Sequence, residues 1–446
     1  MTFVPNTDAD RREMLATIGA KSVTDLFTDV PEAYRFPALA LPSALSEMEV
    51  LREMETLAAK NDDVRRRSCF LGAGAYHHFV PSIVDFVLQR SEFYTAYTPY
   101  QPEISQGTLQ AHYEYQTLIC ALTGMDAANV SHYDAGTAAA EAIILALGAG
   151  HNKRMQAILS PTLHPQYREV IHTYTYSMGV QYAGEEAPAG DLHALGDLLD
   201  EQTACVVVQN PDFFGRLYTP AEMQALADKV HAAGALLVVC AHPISLGLFQ
   251  PPGAYGADIA IGEGQPLGNG LNFGGPYLGY FAMHKDLVRK SAGRIVGETV
   301  DAEGKRGYVL TLSSREQHIR RERASSNICS NQALNALAAA VYLAAMGKQG
   351  LRAVAELCYH KAHYATEAID KLPGYAVQAD HPFFNEFVVH CPQPVDAINA
   401  ALLDRFGIVG GYDLGNQAML LAVTEMNTRE EIDGLVAALQ ELNEKI

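Results

Sequence analysis

Apolar positions along this chain follow two periods. Short continuous apolar runs, the pattern of buried strands, alternate with longer stretches of helical spacing. Gln156–Ser160, Cys205–Pro211 (ending in a turn), Ala235–Cys240, Asp258–Ile261 and Tyr277–Met283 read as strands. Helices are predicted from Gln106 to Thr123, closed by Gly124, from near Gly136, and over 165–178 and 191–201. Another starts at Thr219-Pro220-x-Glu222, where the threonine caps, the proline takes the first helical position and the glutamate closes a capping box. This alternation implies a doubly wound, mainly parallel sheet. After about residue 330 the pattern changes. An Ala- and Leu-rich helix (331–346) leads to strands at 383–389 and 419–423 and helices at 394–406 and 428–443, a small α+β domain. Ahead of the sheet, 7–30 reads as two short helices capped by Thr7 or Asp8 and by Ser22, and 43–60 as an acidic, Leu- and Met-rich amphipathic helix. The expected organisation is an N-terminal helical arm (1–80), a large α/β domain (81–330) and a small C-terminal α+β domain (331–446).

Composition narrows the class. At 446 residues the chain suits two or three domains. Hydrophobic residues at 48% and charged ones at 19% are ordinary for a globular protein. A net charge of −19 argues against nucleic acid, which needs clustered Lys and Arg, and Arg65-Arg66-Arg67 and Arg320-Arg321 are too short to change that. No apolar run approaches the roughly 20 residues of a membrane helix, so no membrane association is expected. The first residues lack a signal-peptide pattern. Seven scattered cysteines without a C-x-x-C fit reduced thiols. The expected compartment is the cytoplasm. His77-His78 has no acidic partner at metal-site spacing, so no metal is expected.

Residues 94–107 stand apart. Tyr94, Tyr97, Tyr100, Gln101, Glu103 and Gln106 sit among Pro99 and Pro102, which forbid a helix interior or a central strand. Such a rigid, aromatic, polar-tipped loop either packs under a helix or lines a cavity or interface. This run resembles the loop in the N-terminal half of the glycine cleavage system P-protein family, the glycine decarboxylases dependent on pyridoxal 5′-phosphate (PLP). Phe70-Leu71-Gly72-Ala73-Gly74-Ala75-Tyr76 with His78 and Pro81, Gly136–Ala142, Arg315–Glu322 and Ser326–Ala333 resemble the same family in the same order. The resemblance runs from about residue 7 to the C-terminus, and is to the separate alpha chain found where the family is split into two polypeptides.

The resemblance implies the fold of fold-type I PLP enzymes. It also implies where the cofactor chemistry should lie. Asp134-Ala135-Gly136-Thr137 opens a helix, and small residues there leave N–H groups for an anion. This is where the cofactor phosphate docks in such enzymes, so Gly136 and Thr137 are candidates for a vestigial site. His164 lies where a ring could stack on the cofactor, although an interface or structural role is the expected one. Two groups are missing. The strand end Val238-Val239-Cys240-Ala241-His242-Pro243 has no carboxylate for the pyridine nitrogen, and Gly262–Pro276 has no Schiff-base lysine. Gln265 or Pro266 stands near the lysine's place, and Lys285 is the nearest lysine downstream.

The resemblance therefore implies an alpha chain that does not run PLP chemistry alone. The partner beta chain would carry PLP. Together they would decarboxylate glycine and pass the aminomethyl group to the lipoyl arm of the H protein, as an assembly of two alpha and two beta chains. Tyr97, Tyr100 and Gln101 would border the glycine site or the lipoyl channel, with Glu103 and Gln106 holding the loop. Three other readings stay open: a free-standing PLP enzyme using a lysine such as Lys285, a non-catalytic scaffold, and a dinucleotide-binding enzyme. The glycine-rich loop 262–275 lacks the G-x-G-x-x-G spacing that the last requires.

Overall fold

A computed structural model describes residues 6–94, 97–151, 153–329, 331–378 and 380–444. The chain divides into two compact units, Met1–Asp62 and Asp63–Ile446. The first holds α1 (Asp8–Thr17), capped by Thr7 and Asp10 in a reciprocal box, 3-10 segments at Val23–Phe27, after Ser22, and at Glu32–Tyr34, and α2 (Glu47–Ala58), capped by Ser46 and Glu49. None of residues 6–62 is buried. Met14, Ile18, Leu26, Met48, Leu51 and Met54 are exposed although they lie on amphipathic turns.

The second unit is built on a seven-stranded sheet. Its strands are β1 (Ala127–Ala128), β2 (Gln156–Leu159), β3 (Gln181–Ala183), β4 (Thr203–Asn210), β5 (Leu236–Ala241), β6 (Ile259–Glu263) and β7 (Gly279–Met283). The spatial order is β1-β7-β6-β5-β4-β2-β3. β2 through β6 run parallel, and β7 pairs antiparallel with both β6 and β1. β4 to β7 are buried along most of their length, which is why they read as continuous apolar runs. The helices include α3 (Gln106–Thr123), α4 (Ala135–Ala149), α5 (Pro165–Thr175) and α6 (Pro220–Ala232). Alanines and glycines of α4 let it bury almost its whole surface, packed with α5 against the sheet.

A hairpin of β8 (Ile295–Val300) and β9 (Arg306–Thr311) follows, an element that the apolar pattern does not announce. α7 spans Ala333–Ile369 and breaks at Gly347, whose φ of 58° and ψ of −177° no helix accommodates. The predicted end at 346 is therefore a kink, and a second helix continues beyond it. β10 (Ala376–Val377), β11 (Glu386–His390), β12 (Tyr412–Asp413) and β13 (Ala418–Ala422) form a four-stranded sheet in the order β10-β11-β13-β12, covered by α8 (Arg429–Glu444) and the last turns of α7. The helix predicted at 191–201 is only Leu192–Gly196, because Asp200 accepts from Gln202 N and Thr203 Oγ1 and turns the chain into β4. The helix predicted over 394–406 is Val395–Ala401 followed by a wider turn that Gly407 closes. A large, mainly parallel sheet with a smaller α+β layer is the architecture that the resemblance to fold-type I PLP enzymes implies.

Candidate functional site

In a doubly wound sheet ligands meet the carboxyl ends of the strands. Here the ends of β4, β5 and β6, the 70–76 segment and the start of β11 converge around Tyr76, His164, Gln209, His242, Glu263 and Glu386. Gly72 and Gly74 let that segment lie close. A Cβ on Gly72 would meet Glu386 Oε1 at 2.5 Å, and one on Gly74 would meet His164 Nε2 at 2.9 Å. Glu386 Oε1 accepts from Ala73 N and its Oε2 from the Tyr76 hydroxyl, both at 2.7 Å. Burial pushes the Glu386 carboxyl up to about 7. The remaining cavity is about 30 Å³.

PLP does not fit these residues. The space is of the order of one water molecule. His164 stacks on Tyr167 at 4.3 Å and bonds the Ala73 carbonyl at 2.8 Å, so its ring and its Nε2 are already engaged. His242, the residue after β5, lies against Tyr76, with ring centroids 4.7 Å apart and both nitrogens buried without partners. Burial drives its pKa well below the usual value, so it offers a neutral imidazole where a pyridine nitrogen needs a carboxylate. Gln265 bonds the backbone N–H and carbonyl of Tyr76 and the Asn269 carbonyl through its amide. Pro266 follows it, with no lysine between 262 and 276. At the start of α4, Thr137 N–H donates to Asp134 Oδ1 at 2.7 Å and Ala135 N–H to Glu263 Oε2 at 3.2 Å. Glu263 also accepts from Gln265 N and Leu278 N. Carboxylates of the chain itself thus take two of the N–H groups beside Gly136 that a phosphate would use.

The loop before α3 lies elsewhere. Tyr97 is 80% and Tyr100 53% exposed, and Gln101 and Glu103 are exposed as well. Thr95 and Ala96 lie outside the described residues. Gln106 ties the loop down: its Nε2 donates to Pro102 O and Tyr308 O, and its Oε1 accepts from Tyr308 N at 2.9 Å. Tyr97, Pro99, His112, Asn331, Leu334 and Leu337 line a hollow of about 280 Å³. Tyr100 Oη accepts from Arg294 Nη2 at 3.2 Å.

Several groups of the second unit carry no local signal in the sequence. His78 Nδ1 meets Glu425 Oε2 at 2.7 Å across 347 positions, Cys358 Sγ donates to the same oxygen at 3.3 Å, and Phe79 N donates to Oε1 at 2.7 Å. His78 with its neighbours holds the Glu425 carboxyl down at about 2 against the burial that would raise it. Lys361 Nζ donates to the Glu425 carbonyl, so the cluster is a hydrogen-bonded staple between the 76–79 segment and α7. A lone acid after an apolar run, Glu425 behind Ala418–Val423, is the one mark in the sequence that could have flagged this cluster. Lys285 sits in an exposed turn after β7, with its N–H on Asp126, and is not among the residues of the cleft. No helix among the described residues is long and apolar enough to cross a membrane.

The family model described as "Glycine cleavage system P-protein" matches residues 1–439. The chain is 52% identical over 454 residues to the "Probable glycine dehydrogenase (decarboxylating) subunit 1" of Thermomicrobium roseum, covering 99% of each. It is 50% identical over 450 residues to the protein of the same name from Anoxybacillus flavithermus, again covering 99% of each. Its structure superposes at a TM-score of 0.90, with 43% identity over 99% of this chain and 100% of the other, on the crystal structure of a glycine decarboxylase (P-protein) of the glycine cleavage system in inhibitor-bound form. A sphingosine-1-phosphate lyase from Burkholderia pseudomallei shares the fold at a TM-score of 0.64 and 16% identity, covering 93% and 94%.

Proposed function

The chain belongs to the glycine cleavage system P-protein family, and from that premise we propose that it completes an active site whose cofactor a partner chain holds. Its relatives carry the name of subunit 1, and it is one subunit of glycine dehydrogenase (decarboxylating), the two-subunit P-protein. The system is PLP-dependent and of fold type I. The partner, subunit 2, carries PLP on its own lysine. The pair decarboxylates glycine, hands the aminomethyl group to the lipoyl arm of the H protein, and assembles as two alpha and two beta chains in the cytoplasm.

The observation that carries this reading is the filled cleft. A carboxylate (Glu263) occupies the phosphate end, a glutamine (Gln265) the lysine's neighbourhood, and Tyr76, Tyr167 and His164 the ring space. Burying a cofactor there would require expelling packed aromatic rings and breaking satisfied hydrogen bonds, each of which costs free energy. What the chain can give instead is an outward-facing loop. Tyr97, Tyr100 and Gln101 are exposed and can reach into a neighbour's site, while Gln106 anchors the loop to β9. Phenol and amide tips of this kind supply hydrogen bonds that orient a small amino acid and, packed against the partner, exclude water from it. Glu103 belongs to the same loop and helps to hold it. Free thiols throughout suit the cytoplasm.

The test is intact mass of the co-purified pair after incubation with PLP and borohydride reduction. One phosphopyridoxyl adduct on the partner and none on this chain is the expected result. A stoichiometric adduct on this chain overturns the reading.

A further inference from the structure

Behind the exposed loop lies a buried charge whose bonding is incomplete. Arg294 is 4% exposed and Glu316 is 6% exposed, yet Arg294 Nε stands 3.6 Å from Glu316 Oε2, too far for a hydrogen bond. His318 Nδ1 is also 3.6 Å from that oxygen. Arg294 Nε, both carboxylate oxygens of Glu316 and His318 Nδ1 are buried without hydrogen-bond partners. A guanidinium kept only for core stability would be expected to fork onto its carboxylate, because an uncompensated buried charge is costly. Here the directional hydrogen bond of Arg294 goes outward instead, from Nη2 to Tyr100 Oη at 3.2 Å. The guanidinium carbon lies 5.5 Å from the Tyr100 ring centroid, and the His318 ring meets the same tyrosine edge-on at 5.7 Å.

The backbone that delivers Arg294 is itself held. Arg315 donates to the Ser291 carbonyl, to Ser291 Oγ at 3.2 Å and to the Gly293 carbonyl at 2.9 Å. Gly293 has a φ of +80°, and a Cβ there would meet Asn129 Nδ2 at 2.6 Å, so the turn admits only glycine. Val130 N donates to the Arg294 carbonyl at 2.8 Å. A rigid base thus carries one flexible link, the bond to a tyrosine that is half in solvent.

We propose that Arg294, backed by Glu316 and His318, is a positioning residue that sets the aim of Tyr100 in the shared active site. This deepens the function proposed above and rests on the loop entering that site. Arg294 touches no substrate. It fixes the direction of the Tyr100 hydroxyl and polarises it as a hydrogen-bond donor, since the guanidinium occupies one of the oxygen's lone pairs and leaves its proton free to point outward.

The test is a double-mutant cycle in the reconstituted two-chain enzyme, with Tyr100→Phe, Arg294→Gln and the pair combined. Arg294→Lys is the control that keeps the buried charge but loses the planar guanidinium whose Nη2 reaches Tyr100. Each single variant is expected to lower kcat by roughly 10- to 100-fold, the scale of a misplaced catalytic contact. The combined variant should be no slower than the worse single one, because both remove the same bond. Arg294→Lys should assemble normally by sedimentation and fall between wild type and Arg294→Gln. Losses that multiply overturn the proposal, as does wild-type kcat in both Arg294 variants while Tyr100→Phe is slow. Wild-type kcat in Tyr100→Phe overturns the loop's role in the site and this proposal with it. If Arg294→Gln fails to assemble, the cycle with Arg294→Lys decides by the same criterion.

Discussion

Glu141 lies on the buried face of α4, 5% exposed, with its Oε1 accepting the Ser326 hydroxyl at 2.5 Å. Burial pushes its carboxyl up to about 7 from 4.5. The sign of the consequence follows from proton counting. Between those two values the folded chain holds a proton that the unfolded chain has released. Stability from this group is therefore complete below the unfolded value and is lost as pH rises to about 7. Glu141→Gln, which cannot ionise, is expected to lose less stability than wild type between pH 5 and pH 8, by about 2 kcal/mol. Denaturant unfolding at the two pH values checks this, and equal losses would show that Glu141 is ionised in the fold. The residue scale is also where local sequence misleads most. Gly136 and Thr137 are correctly placed at a helix start, but whether that start is free for an anion depends on Glu263, 128 positions away, which takes the Ala135 N–H.

Elements were legible where their signals are local. The cap at Thr7, read as Thr7 or Asp8, the capping box at Thr219, the glycine stop at Gly124 and the unbroken apolar runs of β4 to β7 each lie within a few residues of the boundary they set. The β8–β9 hairpin was not legible, because its strands are largely exposed or half-buried and hold their place through a neighbour. That neighbour is Gln106, whose amide bonds Tyr308 in both directions and Pro102 besides. Gln106→Ala removes these bonds and leaves the Tyr308 groups to water. The expected cost is about 1–3 kcal/mol. Hydrogen exchange should show faster opening of 295–311 with the central sheet unchanged, and unaltered protection there would mean that the hairpin is held by its apolar contacts alone.

At the scale of the molecule, every buried side chain among the described residues belongs to the 63–446 unit. The first unit exposes Met14, Ile18, Leu26, Phe27, Met48, Leu51 and more, an apolar area without a core of its own. An obligate partner is the ordinary cover for such a surface. Deleting residues 1–62 should leave 63–446 folding cooperatively while weakening its hold on the partner chain. Sedimentation of the co-expressed pair reads this directly, and full-strength assembly of the truncated chain would assign the interface to the second unit.

The sequence by itself determined the alternation of elements, the helix caps, the break in helix around Pro99 and Pro102 within the loop read at 94–107, and the lack of a lysine in 262–276. These are properties of residue type and short spacing, set by backbone sterics and by burial periods of two and 3.6 residues. Only the tertiary structure decided that the would-be cofactor cleft is full, that Glu386 bonds Tyr76 across 310 positions, that Glu425 anchors His78, and that Arg294 reaches Tyr100 across 194. No local propensity encodes which buried carboxyl meets which donor. That pairing is settled when the sheet and its flanking layers pack, because each buried polar group must then find its partner among whatever the fold has brought within about 3 Å.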